Sequence, residues 1–413
     1  MDGARICIDF GSSFTKVALR AGWDQRTLFL EDRAILDPLQ RICVPSTVCE
    51  IKTGGSSNWV CGKKAMQMSP SADVVLHRNW KSQFIKPEDS PPPSRLAAAG
   101  KFFEWLRQEV ARHQSFAEFV DAPVRVCLPD FKILGQWKGY FGQLLIQAGW
   151  NCQDSEFLEN EPYTNMLGVL TCGRNATHVW QNERNLTMDE MFDRSGGLLY
   201  AKRRALLTDK PKDFGVMIVD VGAYTTDFAY LYFPDASEFD PPDPVTESQV
   251  LGIRELDAEL ESAFGPVHAQ QIRGLSTEEF EKMRRALLIG DTYALPSGGM
   301  LGIREHQPLV AEAVQRFARR VIGCLDEFQS AKTQRLDLAI LSGGGSLISG
   351  IGGAVRLHLE GKGVRVQDYG DGLFKSGDGT AEDQRIRNAP LVRGASAIGG
   401  CSVYVDLLPR RKY

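Results

Sequence analysis

No run of about 18 uninterrupted apolar residues, the length that spans a bilayer as a helix, occurs in this chain. The opening residues, MDGARICIDFG, enter a strand-like segment directly and hold no apolar core of a secretory leader. A cytoplasmic protein without membrane contact is therefore expected. No C-x-x-C pair occurs among the nine cysteines, their number is odd, and Cys7, Cys127 and Cys324 sit inside apolar stretches where small buried thiols are common. Neither zinc nor a disulfide framework is expected. The Asn175 and Asn185 glycosylation patterns carry no physical meaning without export. No charge sign dominates: the formal net charge is -4, and Arg410, Arg411 and Lys412 are too few to form a polybasic arm. Nucleic acid is thus disfavoured as a partner. The chain is not depleted in apolar residues, at 43% against 24% charged, which is the profile of a globular enzyme or binding protein. At 413 residues it exceeds what one core fills, since domains cluster at roughly 100 to 200 residues, so two domains are expected.

What the chain does contain is a run of residues 216–233, VMIVDVGAYTTDFAYLYF, in which Asp220 and Asp227 interrupt a segment built for the inside of a sheet. An unpartnered buried carboxylate costs several kcal/mol or takes up a proton. Either the run is a hairpin whose polar turn lies in water, or the acids hold something cationic. The same layout of strand, small-residue turn and strand occurs at Arg5 to Leu19, RICIDFGSSFTKVAL. Val124 to Pro129 reads as a strand followed by a helix in FGQLLIQAGW that ends near Gly149, and LDLAILSGGG at 336–345 as a strand entering a triple-glycine turn. Phe102, Phe103, Leu106 and Val110 fall at helical spacing, as do Val310, Val314, Phe317, Ala318, Val321, Leu325 and Phe328. Alternating strands and helices predict an α/β architecture, and the two similar units, Asp9 with Gly11 and Asp220 with Gly222, suggest an internal duplication. Loops are signalled by PEDSPPPS at 87–94 and DPPDP at 240–244. The stretch 171–214 is polar and charge-rich, and reads as a solvated excursion in preference to a partner-binding element.

A turn of small residues after a strand points several backbone N–H groups into one concavity, which attracts phosphate oxygens. Three such turns are present: Gly11-Ser12-Ser13, Gly222-Ala223-Tyr224-Thr225 and Gly343-Gly344-Gly345-Ser346. Each alone is more simply an ordinary turn. Asp9 precedes the first and Asp220 the second, so two facing units would bring two carboxylates beside two phosphate nests. That suits a magnesium nucleotide, because Mg²⁺ keeps most of its waters and is held by one or two carboxylates plus phosphate oxygens. The bland alternative is that both acids simply cap their turns.

In these segments the chain resembles the actin, sugar kinase and heat-shock chaperone ATPase superfamily, and among its members is most similar to the DnaK-type nucleotide-binding domain. IDFGSSFTKVAL is similar to its first phosphate motif, VDVGAYTTDF to its second, and LSGGGSLISGI to its adenosine motif. CLPDF with LLIQAGW resembles the connecting segment, and ENEPYTNMLGVL at 159–170 the Asn-Glu-Pro signature. LGIRELDAEL, EKMRRAL and GASAIGG resemble the Gly-Gly-x-x-Phe-Asp stretch, the adenine-contacting helix and the closing helix. The resemblance implies a two-domain actin-like ATPase fold of duplicated ribonuclease H-like domains with a nucleotide cleft between them. Its first lobe would span 1–170 plus 394–413, its second 215–393, and the polar insertion 171–214 would lie between them.

Carried over residue by residue, the resemblance implies that Asp9 and Asp220 orient hydrated Mg²⁺, with Glu161 placing its water shell or the attacking water. Gly11, Ser12, Ser13 and Thr15 would line the β- and γ-phosphates of ATP or ADP. Gly222, Ala223, Tyr224 and Thr225 would approach from the other side, with Asp227 in the cation environment. Adenine and ribose would rest against Glu281, Arg284, Arg285, Gly343, Gly344, Gly345 and Ser346. Phosphoryl transfer needs charge neutralisation, so a lysine is expected near the phosphates, either Lys16 or Lys81. Ala223 and Tyr224 stand where chaperones carry glycines, and no counterpart of the chaperone's peptide-binding domain is expected after the closing helix. The implied function is a slow ATPase switch acting on a protein partner or co-chaperone. The alternatives are an actin-like filament former, a small-molecule kinase and a weakly hydrolysing nucleotide sensor.

Overall fold

The computed structural model describes residues 4–21, 27–32, 41–78, 93–129, 137–152, 157–171, 213–233, 245–368 and 393–401. The first half supplies strands β1 (Arg5–Asp9), β2 (Phe14–Arg20), β3 (Thr27–Phe29), β4 (Val44–Pro45), β5 (Val48–Thr53), β6 (Ser56–Cys61), β7 (Val74–His77), β8 (Val124–Leu128) and β9 (Leu158–Asn160). The second half supplies β10 (Phe214–Val221), β11 (Thr226–Phe233), β12 (Val245–Gln249), β13 (Tyr293–Ala294), β14 (Met300–Leu301), β15 (Leu338–Ser342) and β16 (Arg365–Asp368).

Two sheets share one plan. The first runs β3-β2-β1-β8-β9 and the second β12-β11-β10-β15-β16. In each, two antiparallel pairings lead into two parallel pairings. Parallel neighbours need long crossovers, and helices lie in those intervals: Pro93–Arg112 before β8, Trp137–Gln147 before β9, Gln307–Ser330 before β15 and Ser349–Gly361 before β16. The duplication suggested by the two Asp-and-Gly units is present as topology. A smaller sheet, β6-β5-β7, is inserted in the first half, and nothing in the motif pattern announced it.

Period-two alternation on the central strands divides the core into layers. Ile6 and Ile8 face a cluster built with Phe102, Phe103, Leu106, Val110 and Phe141, while Cys7 faces the opposite way. In β10, Met217 and Val219 face the helices of the second half, whereas Val216 and Ile218 join Cys7, Ala18 and Cys127 in a shared inner cluster. That inner layer is completed by Met166 of the helix Glu161–Thr171 and by Ala395, Ala397 and Ile398 of the helix over residues 393–401. The two helices cross where Gly168 meets the Ala395 carbonyl and Gly399 the Thr164 carbonyl. A Cβ at either glycine would overlap backbone. The halves are joined at their ends as well: Asn160 Nδ2 donates to Thr246 Oγ1 at 3.3 Å, tying β9 to β12. Among the described residues no helix is long and apolar enough to cross a membrane.

Candidate functional site

The central strands β1 and β10 both run out of sheet at an acid. Asp9 closes β1 and is paired across the hairpin with Lys16, and Asp220 stands one residue from the end of β10, opposite Asp227. The turn after β1 needs glycine at position 11, because a Cβ there would strike the Phe14 carbonyl. The turn after β10 is closed by the Gly222 N–H donating to the Thr225 carbonyl at 2.8 Å. It is held from below by the start of the helix Ile253–Ala263, whose Ile253 and Arg254 N–H groups donate to the carbonyls of Gly222 and Ala223 at 3.1 and 3.0 Å. The glycine triplet after β15, expected as a turn, folds as a single helical turn, Gly343–Ser346, entered through Gly343 at φ +82, a left-handed conformation that glycine adopts without penalty; a Cβ there would collide with Asp220 Oδ1. Thus the glycines at 11 and 343 each make room for a specific neighbour.

Charge gathers at this edge. Lys16 Nζ lies 3.0 Å from Asp9 Oδ2. Burial alone would lower the Lys16 pKa, but the negative fields of Asp9 and Glu161 outweigh it and hold the ammonium firmly charged. Asp220 is pushed up to about 7, by burial first and then by repulsion from Glu161 and Asp9, against the pull of Lys16. Asp227 is likewise raised, by burial and by the charges of Glu161 and Asp220. Five ionisable side chains from both halves, Asp9, Lys16, Glu161, Asp220 and Asp227, therefore feel one another at one place. Glu161 reaches it as the first residue of its helix, where a carboxylate also complements the helix dipole.

Not every acid is equally available. Asp227 is fully used: its oxygens accept from Thr225 Oγ1 at 3.0 Å and from Ser248 Oγ, so it braces the second turn. Asp220 Oδ2 accepts from Ser342 Oγ at 3.2 Å and from the side-chain amide of Asn165. Asp9 is 2% exposed, and its Oδ1 has no hydrogen-bond partner among the described residues. A buried carboxylate oxygen left in that state is costly unless a donor or cation arrives. Among the described residues no group of three or more His, Cys, Asp or Glu side chains is arranged to hold a metal ion directly. The donor set is instead two hard carboxylates beside a lysine, which suits a hydrated Mg²⁺ carried in by phosphates.

The remaining expected residues that the structure describes lie in or beside the three turns and on one helix. Ser12 is buried in the first turn, with Ser13 partly so, and Thr15 is buried just beyond it in β2, its Oγ1 2.9 Å from Ser46 Oγ. Tyr224 in the second turn packs against the core cluster of the first half, so it bridges the two halves. In the third turn Ser346 Oγ donates to the Gly343 carbonyl at 2.8 Å, Gly345 is buried against Val221 and Ile253, and Gly344 has open space around it. Glu281 and Arg284, on the helix Thr277–Leu288, are ion-paired with each other, and Arg284 also binds Asp257 at 3.0 Å. Burial would lower the Arg284 pKa, but Glu281 and Asp257 reverse the sign and raise it. Arg285 on the same helix is exposed. Lys81 and residues 172–212 of the polar stretch lie outside the described residues.

Two residues escaped the motif reading. Ser46 donates through Oγ to the Gly11 carbonyl at 2.7 Å and through its N–H to the Ser13 carbonyl at 2.9 Å, bracing the first turn from β4. Asn165 binds Asp220 across the halves. Ser46 had no local signal, being an ordinary serine 35 residues from its partner; Asn165 lies one helical turn beyond Glu161, and that spacing places both on one helix face. Neither a protein-family model nor a curated protein sequence matches this chain.

Proposed function

We propose that this chain binds ATP with Mg²⁺ and hydrolyses it slowly, as a nucleotide switch of the actin-like and DnaK-like kind that acts on a partner protein. One observation carries the reading: the acids at the ends of two equivalent strands, Asp9 and Asp220, converge with Lys16 and Glu161 beside three turns of small residues. In that arrangement the first and second turns grip the phosphates from opposite halves, and Lys16 neutralises phosphate charge. Bound Mg²⁺ would supply charge neutralisation at the phosphates. Asp9 and Asp220 would orient its waters, and Glu161 would hold the attacking water. The adenosine would lie toward Gly344 and Arg285. Because the phosphates would touch both halves only when the cleft is shut, nucleotide has differential affinity for the closed form and can drive a switch.

Calorimetry with ATP and ADP, combined with phosphate release without any added acceptor, tests this. Heat with nucleotide in the presence of Mg²⁺ and slow phosphate release are expected, with Asp9→Asn and Asp220→Asn each reducing turnover by a factor of ten or more while the chain stays folded, as removing charge contacts at a phosphoryl site does. Unchanged turnover in both variants sinks the assignment. A second reading, a sensor that binds but hardly hydrolyses, is favoured by the seating of Tyr224 against the first half. Faster phosphate release in Tyr224→Gly would support it.

A further inference from the structure

The helix that begins at Glu161 carries a second polar residue into the same region. Asn165 follows one turn later, is 3% exposed, and donates through Nδ2 to Asp220 Oδ2. The donor lies on a helix of the first half and the acceptor on the central strand of the second, so this is a polar contact between halves at the acid cluster itself. Ser342 Oγ, at the end of β15, donates to the same oxygen. Two donors thus occupy Oδ2, while Gly343 keeps the space around Oδ1 clear of side chain. The carboxylate is pinned through Oδ2, and Oδ1 lies close against Gly343.

We propose that Asn165 is a positioning residue of the cation site, its amide fixing the orientation of the Asp220 carboxylate toward a hydrated divalent cation. The proposal rests on the nucleotide reading above and deepens it. A pinned carboxylate loses less freedom when it captures a ligand than one free to rotate. The amide is suited to the task because it is neutral: a lysine at this place would compete with the cation, and a carboxylate would repel Asp220. Asn165 Oδ1 is buried without a hydrogen-bond partner among the described residues, as is Asp9 Oδ1. A cation that keeps its waters brings donors with it, and such acceptors satisfy them. A residue acting through another ligand in this way typically changes metal affinity by roughly 10- to 100-fold when removed.

The test is Asn165→Leu in the full chain, which keeps side-chain volume and removes the amide. Calorimetry measures ADP affinity in EDTA and the Mg²⁺ concentration that half-saturates the ADP-bound protein. About a tenfold higher Mg²⁺ requirement is expected, with ADP affinity in EDTA unchanged within about twofold. A folded variant whose Mg²⁺ requirement equals the wild type's overturns the proposal, and so does an equal loss of ADP affinity with and without the cation. Should Asn165→Leu fail to fold, Ser342→Ala withdraws the other donor from the same oxygen, and an unaltered Mg²⁺ requirement there overturns it equally. Wild-type protein that gives no heat with ADP, with Mg²⁺ or without, overturns the nucleotide reading and this proposal together, so the two failures are told apart.

Discussion

Asp220 shows how one residue's energetics report on its neighbours. Its pKa is raised to about 7 from an ordinary value near 3.8, because burial and the charges of Glu161 and Asp9 disfavour the ionised form. The folded protein therefore holds a proton that the unfolded chain releases between those values, and the stability contributed by this group is present at acid pH and lost as pH rises through about 7. In nucleotide-free protein with chelator present, Asp220→Asn should raise the melting temperature over wild type most at pH 8, with an advantage that shrinks steadily as pH falls from about 7 toward 3.8. Thermal unfolding across that range checks it, and an advantage that grows toward acid pH would contradict the assigned sign. Ser46 makes a complementary case. Its hydroxyl contributes to holding the first turn, and a typical hydrogen bond contributes about 0.5–1.5 kcal/mol, so Ser46→Ala should weaken ADP binding by roughly two- to tenfold in calorimetry. Affinity indistinguishable from wild type would mean that the turn is rigid without it.

At the scale of elements, the crossing of the Glu161 helix with the helix over residues 393–401 sets how closely the two sheets approach. Both contacts at the crossing are glycine against carbonyl oxygen, and neither has space for a methyl group. Gly168→Ala or Gly399→Ala should therefore destabilise the fold by about 1–3 kcal/mol, the usual cost of overpacking, seen as a lowered melting temperature. An unchanged melting temperature in both variants would show that the helices separate without cost. The same crossing matters for the candidate site, since Glu161 and Asn165 ride on the helix that Gly168 seats. Elements of this kind were only partly legible beforehand. The helix Gln307–Ser330 was plain from its spacing, and Val310, Phe317, Val321, Leu325 and Phe328 are all buried as that spacing requires. The sheet β6-β5-β7 was not, because β5 and β6 run from a buried end to an exposed hairpin end, at Lys52 and Ser57, without the period-two alternation that marks a half-buried strand.

For the whole molecule, two sheets of equal strand order pack their inner faces on a shared layer of two helices, and each sheet covers its outer face with helices of its own. In such an arrangement a ligand held by turns from both halves couples their relative position to its own binding. The filament alternative makes a different demand, requiring complementary heterologous surfaces that extend without closing into a ring. Light scattering at rising protein concentration discriminates the two. A flat trace with ATP present, alongside phosphate release, is expected of the switch, and a critical concentration for scattering would favour the filament.

The sequence by itself determined the local features: hairpins at Asp9 and Asp220, turns rich in glycine and serine, and helices whose apolar stripe recurs every turn. These are legible because backbone sterics and hydrophobic periodicity act over a few residues. Only the tertiary structure decided which turns meet, that Asp227 is consumed by Thr225 and Ser248, that Ser46 supports the first turn, and that Asn165 reaches Asp220 from the other half. Those contacts join residues whose separation along the chain carries no pattern, and burial and charge take effect only once the halves are packed together.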